Sequence, residues 1–185
     1  YTNFNTLTNT YDNDLNLICI GSYIQMAIEN TYIFGSGVRT PDNKENGHHY
    51  INLNVCAVRG PLSKKFLENR DIHVPEIYGD PALLLPKFYT PVIDENLKNM
   101  IGVIPHKTNY DKYVNNLDNS KFFLINPMDY WENVINYMCS CKSVISSSLH
   151  GLICADSYNI PNLWLDEFKI SEGDLRLKIS NEFLI

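Results

Sequence analysis

The segment from Ser146 to Pro161, SSSLHGLICADSYNIP, places hydroxyl groups, an imidazole and a glycine at one point of the chain. An apolar run ending at Val144-Ile145 comes before it. After the serines, apolar residues recur at helical spacing at Leu149, Leu152 and Ile153. This pattern predicts a strand, a serine turn and then a helix.

The serine turn predicts an anion site at the start of that helix. Ser147 or Ser148 is the expected N-cap, and His150 falls in the first helical turn beside Gly151. Free backbone N–H groups and the positive end of the helix dipole favour a phosphate or a carboxylate there. The alternative is a capped helix with an incidental histidine.

Apolar segments that read as strands alternate with segments that read as helices, which predicts parallel βαβ units and an α/β fold. The predicted strands are 15–20, 31–34, 54–58, 101–104, 122–125, 143–145 and 162–165. The predicted helices are a helix-like stretch from 22 to 30, then 62–69, 110–117, 128–138 and the helix after the serine turn. The short run from Ala82 to Leu85 fits either type, and Asp80 before Pro81 predicts a turn.

Parallel strands bring polar residues to one edge of each sheet. His106, Asn126 and the segment Ser146–His150 follow strands of the second half, so we expect them along one carboxyl edge. Arg59 follows a strand of the first half, before Gly60-Pro61 and a helix. It is predicted to face a ligand or to pair with a surface carboxylate.

The sequence Gly35-Ser36-Gly37 also follows a strand. Glycine there allows a sharp turn or a close approach to a ligand. A third glycine and a following helix would be needed for a dinucleotide fingerprint, so this loop is a weak phosphate indication. Residues 40–49 are expected to form a polar loop in which His48-His49 face solvent; the alternative is that they face substrate. Residues 87–96 are the predicted linker between an amino-terminal lobe, 1–86, and a carboxyl-terminal lobe, 97–185.

Composition excludes several function classes. A net charge of −6 argues against nucleic acid or an anionic membrane as the main partner, so an anionic substrate needs a locally basic site. No apolar run approaches the roughly 20 residues that span a bilayer. Five cysteines, an odd number mostly within apolar segments, predict reduced, buried thiols and a cytoplasmic location, with no metal at Cys139 and Cys141.

Five sequence blocks, in this order, resemble the polysaccharide pyruvyl transferase family. They are GSG at 35–37, VRGPLS at 58–63, GDPALLLP at 79–86, IGVIPH at 101–106 and SSSLHGLICAD at 146–156. The sequence YNIP at 158–161 continues the last block. The resemblance covers roughly residues 15–170, and the block containing Leu149-His150-Gly151 is the most specific.

The resemblance implies Rossmann-like parallel sheets with flanking helices, in a two-lobed arrangement like that of glycosyltransferases of the B type, with an incomplete first lobe. It implies transfer of the pyruvyl group of phosphoenolpyruvate to sugar hydroxyls, with no further cofactor. The expected alternative to a purely cytoplasmic location is the membrane surface where glycans are assembled. His150 and Arg59 are the implied catalytic residues. Ser146, Ser147, Ser148, Gly151 and His106 are assigned to the donor, and Gly35, Ser36, Gly37 and Arg39 to the acceptor or cleft.

The chain departs from the family pattern at Ser148, where many members have arginine; Lys107, Lys142 or Arg39 are the candidate substitutes. Two other functions fit the same architecture. One is a glycosyltransferase that uses a nucleotide sugar, for which Asp166 and Glu167 are the nearby carboxylates. The other is a glycan-binding remnant without activity.

Overall fold

Two parallel sheets, each in its own unit of the chain, make up the computed structural model, which describes residues 16–39 and 52–165. The first unit holds residues up to Leu83, and the second begins at Leu84. The α/β class predicted from the sequence is confirmed. The loop at 40–49 with His48 and His49, the polar start at 1–14, and Asp166 and Glu167 lie outside the described residues.

The first unit is built on three strands in the order β1-β2-β3, all parallel: β1 (Leu17–Ile18), β2 (Tyr32–Phe34) and β3 (Asn54–Ala57). Helix α1 (Pro61–Glu68) follows, with Pro61 at its first position, where the missing N–H costs nothing. Its buried residues Phe66 and Leu67 pack with Ile33 of β2 in one core. Alternation along β2 leaves Tyr32 and Phe34 exposed on the opposite face.

The helix predicted for residues 22–30 is wrong, because only a short 3₁₀ turn, Ile24–Met26, forms there. The backbone donors of this segment bond elsewhere. Ile24 N donates to Gly37 O at 3.2 Å, and Ile28 N donates to Thr31 Oγ1 at 3.1 Å. Asn30 has a left-handed φ of 61°, which also ends helical geometry.

The second unit holds four parallel strands in the order β5-β4-β6-β7. They are β4 (Ile101–Ile104), β5 (Phe122–Leu124), β6 (Ser143–Ser146) and β7 (Asn162–Trp164), and the connecting helices are α2 (Tyr110–Val114), α3 (Trp131–Ser140) and α4 (Leu149–Ser157). Consecutive residues of β4 and β6 are buried, as expected for central strands covered on both faces. The strand and helix order predicted for this half is confirmed.

Side chains that bond to the backbone set the helix ends of the second unit. Helix α3 begins at Trp131 rather than at the predicted Met128, because Met128 N donates to Asn126 Oδ1 at 2.9 Å. Helix α2 ends at Val114 rather than at Leu117, where Asn116 Nδ2 donates to Lys112 O at 2.8 Å. Asparagine competes in this way with the helical bonding pattern.

Residues 81–97 connect the two sheets in sequence. The ambiguous run around Ala82 is a 3₁₀ helix, Pro81–Lys87, and Ala82 N donates to Asp80 Oδ1 at 3.0 Å, as the predicted turn requires. Val92 N bonds Asn136 Oδ1 of α3 at 2.8 Å. The predicted linker thus packs within the second unit; its role between lobes stays a prediction. Across the described residues, no helix is long and apolar enough to cross a membrane.

All five cysteines are free thiols. Cys141 is buried and Cys139 half-buried, and burial raises the pKa of both thiols to about 11. Cys56 corrects the prediction of uniformly buried thiols. It is exposed because the alternation of β3 turns Val55 and Ala57 toward the core and Cys56 outward.

Candidate functional site

The carboxyl ends of β4 and β6 form the switch point of the four-stranded sheet. From β4 the chain passes to β5 on one side and then crosses to β6 on the other. In open α/β sheets, ligands bind outside the carboxyl ends of the strands at such a point. His106 follows β4 and the serine turn follows β6, so the structure brings these two predicted segments together.

Three hydrogen bonds join the ends of these strands. Ser146 Oγ donates to Ile104 O at 2.9 Å, Ser147 N donates to Ile104 O at 3.2 Å, and His106 N donates to Ser147 Oγ at 2.6 Å. The Ser147 hydroxyl thus serves the turn after β4. These hydrogen bonds hold the segments that carry His106 and His150 next to each other at the carboxyl edge of the sheet.

Ser146 is fully buried and its hydroxyl organises the serine turn. Its oxygen accepts a hydrogen bond from Ser148 N at 3.0 Å while it lies within bonding distance of Ile104 O. A Cβ placed on the buried Gly151 would overlap this hydroxyl, so glycine lets α4 pack directly on β6. Ser146 and Gly151 therefore shape the site from beneath; their predicted contact with a donor stays a prediction.

Ser148 occupies the N-cap position of α4, as one of the two predicted alternatives. Its side chain makes no capping hydrogen bond, and its backbone N–H donates to the Ser146 hydroxyl at 3.0 Å. His150 is the second residue of α4 and is half-buried. The backbone N–H groups of this first turn and the imidazole therefore lie at the sheet's carboxyl edge, in an arrangement suited to an anion.

His106 is exposed and caps a 3₁₀ turn, Lys107–Asn109. Its Nδ1 accepts from Thr108 N at 3.4 Å and lies 2.8 Å from Thr108 Oγ1. Because a backbone N–H can only donate, Nδ1 is the acceptor in the contact with Thr108 N.

Two lysines of the second unit, Lys107 and Lys142, lie at opposite edges of the sheet. Lys107 follows β4 and is exposed at the carboxyl edge. Lys142 immediately precedes β6, so it lies at the amino edge, and Lys142 N bonds Met100 O at 3.1 Å there. Lys107 is therefore the better placed of these two candidate substitutes for a cation near His150. Arg39 belongs to the first unit, where its N donates to Gln25 Oε1 at 2.9 Å.

Arg59 lies at the carboxyl end of β3, where the polar loops of the first unit converge. Its Nη2 donates to Ser22 Oγ at 2.8 Å and its backbone N donates to Ser36 O at 2.9 Å. Its Nη1 is buried and has no hydrogen-bond partner among the described residues. The alternative prediction was that Arg59 pairs with a surface carboxylate. No such ion pair of Arg59 occurs in the described part of the chain.

The loop Gly35-Ser36-Gly37 packs against the other sequence blocks of the first unit. A Cβ at Gly37 would overlap the Arg59 guanidinium, and a Cβ at Gly35, whose φ is +81°, would overlap Pro81. Ser36 is fully buried and donates to Gly21 O at 2.8 Å. These contacts explain why the residue types occur together; binding of an acceptor by this loop stays a prediction.

Sequence reasoning missed Ser22 and Thr108, which contact Arg59 and His106. Each lies in the segment that follows a strand, a few residues past its end, and this position was the available indication. A separate cavity of about 220 Å³ lies beside α3, away from this edge. The polar atoms of Asn136 in its wall bond Tyr89, Val92 and Ser140 internally, so we do not assign the site there.

Comparison with known proteins gives a relative and a family. A protein from Acanthamoeba polyphaga mimivirus, itself uncharacterized, is 28% identical over 167 residues. The alignment covers 85% of this chain and 56% of that protein, so the chain spans little more than half the length of this relative. No solved structure matches the chain.

The family comparison spans both units. Residues 3–167 match the sequence profile described as polysaccharide pyruvyl transferase. This range contains Arg59 with its packed glycine loop, and the switch point with His106 and His150. The chain belongs to the polysaccharide pyruvyl transferase family.

Proposed function

We propose that this chain carries out the transfer of the pyruvyl group of phosphoenolpyruvate to two hydroxyls of a sugar in a polysaccharide or glycan, forming a ketal. The observation that carries the proposal is the family match over residues 3–167, because it includes the serine turn and His150 at a sheet switch point. The net charge of −6 disfavours the approach of an anionic donor, so a local site that favours anions is needed, and the first turn of α4 has the features of one.

The proposed reaction begins with proton transfer to the methylene carbon of phosphoenolpyruvate. The first sugar hydroxyl then bonds to the neighbouring carbon and loses its proton. Next the carbon–oxygen bond to phosphate breaks, and phosphate leaves. The second hydroxyl adds to the same carbon, loses its proton and closes the ketal. No step changes an oxidation state, so the scheme as written requires no redox cofactor beside phosphoenolpyruvate as co-substrate.

His150 is assigned to proton donation or to contact with the phosphate. Imidazole exchanges protons near neutral pH, and a positioned general acid contributes typically about 10²–10⁴-fold to rate. The first-turn N–H groups of α4 and the exposed ring of His106 are assigned to the donor's anionic groups. Arg59 is assigned to a carboxylate or phosphate, which guanidinium binds through paired N–H groups.

The test is a thermal-shift titration with phosphoenolpyruvate, with inorganic phosphate and UDP as controls. A ligand that binds the folded state raises the melting temperature by mass action. We expect a saturable rise with phosphoenolpyruvate that exceeds the rise with phosphate, followed by ketal formation with an accepted sugar. A rise with UDP alone would instead support a nucleotide-sugar glycosyltransferase. No rise with any of the three would favour a glycan-binding remnant.

A further inference from the structure

The guanidinium of Arg59 lies on the backbone of Gly37. A Cβ built at position 37 would approach Nε at 2.8 Å and would lie closer still to Cζ and Nη2. These distances are shorter than real carbon–nitrogen contacts allow, so any side chain at 37 would displace the guanidinium. The backbone of Gly37 has no positive φ, so space rather than conformation requires glycine there.

Ser22 fixes the rotation of the same group. Its Oγ accepts from Nη2 of Arg59 at 2.8 Å, from a loop 37 residues away in sequence. Two loops therefore hold the guanidinium, one by packing and one by a hydrogen bond.

Among the described residues, the guanidinium of Arg59 has no ion-pair partner. Nη1 is enclosed and has no hydrogen-bond partner within residues 16–39 and 52–165, and no carboxylate of those ranges forms an ion pair with Arg59. An unsatisfied charged donor is costly, and an anion beside the guanidinium would reduce that cost. A side chain held in advance also loses less entropy when the anion binds.

We infer that Gly37 and Ser22 are positioning residues that hold the Arg59 guanidinium for an anionic group of the substrate. The inference rests on the proposed function for the identity of that group, namely the carboxylate or phosphate of phosphoenolpyruvate. The positioning itself can be measured without any ligand.

The chain offers matched control variants. Gly37→Ala introduces a methyl group that overlaps the guanidinium, whereas Gly60→Ala introduces one with no heavy atom within 4 Å. Gly60 has a φ of −169°, which alanine adopts readily. Ser22→Ala removes the hydroxyl and Ser22→Thr retains it. All four variants are made in the 185-residue chain, and Arg59→Lys identifies the Arg59 Nε–H resonance by NMR.

Two quantities are measured for each variant: the Arg59 Nε–H resonance without ligand, and the half-saturating concentration of phosphoenolpyruvate. We expect Gly37→Ala and Ser22→Ala to move the resonance and to raise that concentration about tenfold, because a charge-assisted hydrogen bond is lost. Gly60→Ala and Ser22→Thr should stay within about twofold of the parent chain.

An unmoved resonance with unchanged affinity in both Gly37→Ala and Ser22→Ala would overturn the inference. If the parent chain fails to bind phosphoenolpyruvate while these two variants still move the resonance, the positioning stands and the proposed donor falls. Free energies of unfolding, measured alongside, separate displacement of Arg59 from general loss of the fold.

Discussion

Gly151 packs so closely on the buried hydroxyl of Ser146 that a Cβ at position 151 would overlap it. The pair packs the first turn of α4 against the end of β6. It therefore positions the backbone of His150, the neighbour of Gly151, relative to the sheet edge. Glycine is unfavourable inside a helix, so the contact explains its presence in this turn.

The first prediction concerns this contact. At an open helical position, Gly→Ala stabilises by about 1 kcal/mol. Gly151→Ala should instead destabilise by about 1–3 kcal/mol, because the added methyl group overpacks against Ser146. In a Ser146→Gly background, the same substitution should become stabilising. Denaturant unfolding of the four chains gives the coupling, and equal effects of Gly151→Ala in both backgrounds would contradict the packing explanation.

The second prediction concerns His150. His150→Ala should lower the rate of pyruvyl transfer about 10²–10⁴-fold, as expected when a positioned proton donor is removed. The free energy of unfolding should change by no more than about 1 kcal/mol. His73→Ala, at an exposed loop position, is the control and should keep the parent rate. Turnover at the parent level in His150→Ala would remove His150 from the mechanism.

The third prediction distinguishes the two edges of the four-stranded sheet. Lys107→Ala removes a cation from the carboxyl edge and should raise the half-saturating concentration of phosphoenolpyruvate about two- to fivefold, the range for an exposed charge pair. Lys142→Ala, at the amino edge, should have no effect. The difference between the two variants should shrink at 1 M salt, because the Debye length falls to about 3 Å and exposed charges then interact weakly. Equal effects of the two substitutions would exclude a local role for Lys107.

The fourth prediction concerns alkaline pH. Burial raises the pKa of Cys139 and Cys141 from 9.0 to about 11. Between pH 9 and pH 11 the unfolded chain releases thiol protons that the folded chain keeps. The contribution of these thiols to the free energy of unfolding is therefore fully present below pH 9 and is lost as the pH rises to 11. The loss should reach about 1.4 kcal/mol per pH unit for each thiol.

Denaturant unfolding at pH 8 and pH 10 checks this sign. Cys141→Ala should flatten the decline, whereas Cys56→Ala, at an exposed position, should leave it unchanged. A stability that rises between pH 8 and pH 10 would contradict the assignment to buried thiols.

The second half of the chain was largely predictable because its elements are continuous and periodic. The strand at Ile101–Ile104 and the serine turn before α4 agree with the sequence prediction, and parallel pairing then brings His106 to the serine turn. In the first half, tertiary hydrogen bonds to Ser36 and Gly37 replace the helix expected at 22–30. Local pattern does not encode such partners.

Residue type also left the role of individual hydroxyls open. Three consecutive serines looked equivalent in sequence, yet Ser146 lies under the turn, Ser147 bonds the His106 backbone and Ser148 is the N-cap. The roles of Ser146 and Ser147 depend on β4 and the turn after it, about 40 residues away in the chain. Similarly, the packing between Gly37 and Arg59 joins two loops that sequence spacing alone cannot pair.

The hydrogen bonds from Ser146, Ser147 and His106 that join the ends of β4 and β6 have a consequence for ligand recognition. The conformational entropy of this backbone edge is already lost when the protein folds. A ligand that contacts both histidine segments then meets a surface that needs little further ordering. Differences in affinity among related anions should therefore report their shape and charge directly, because adaptation of the backbone contributes little.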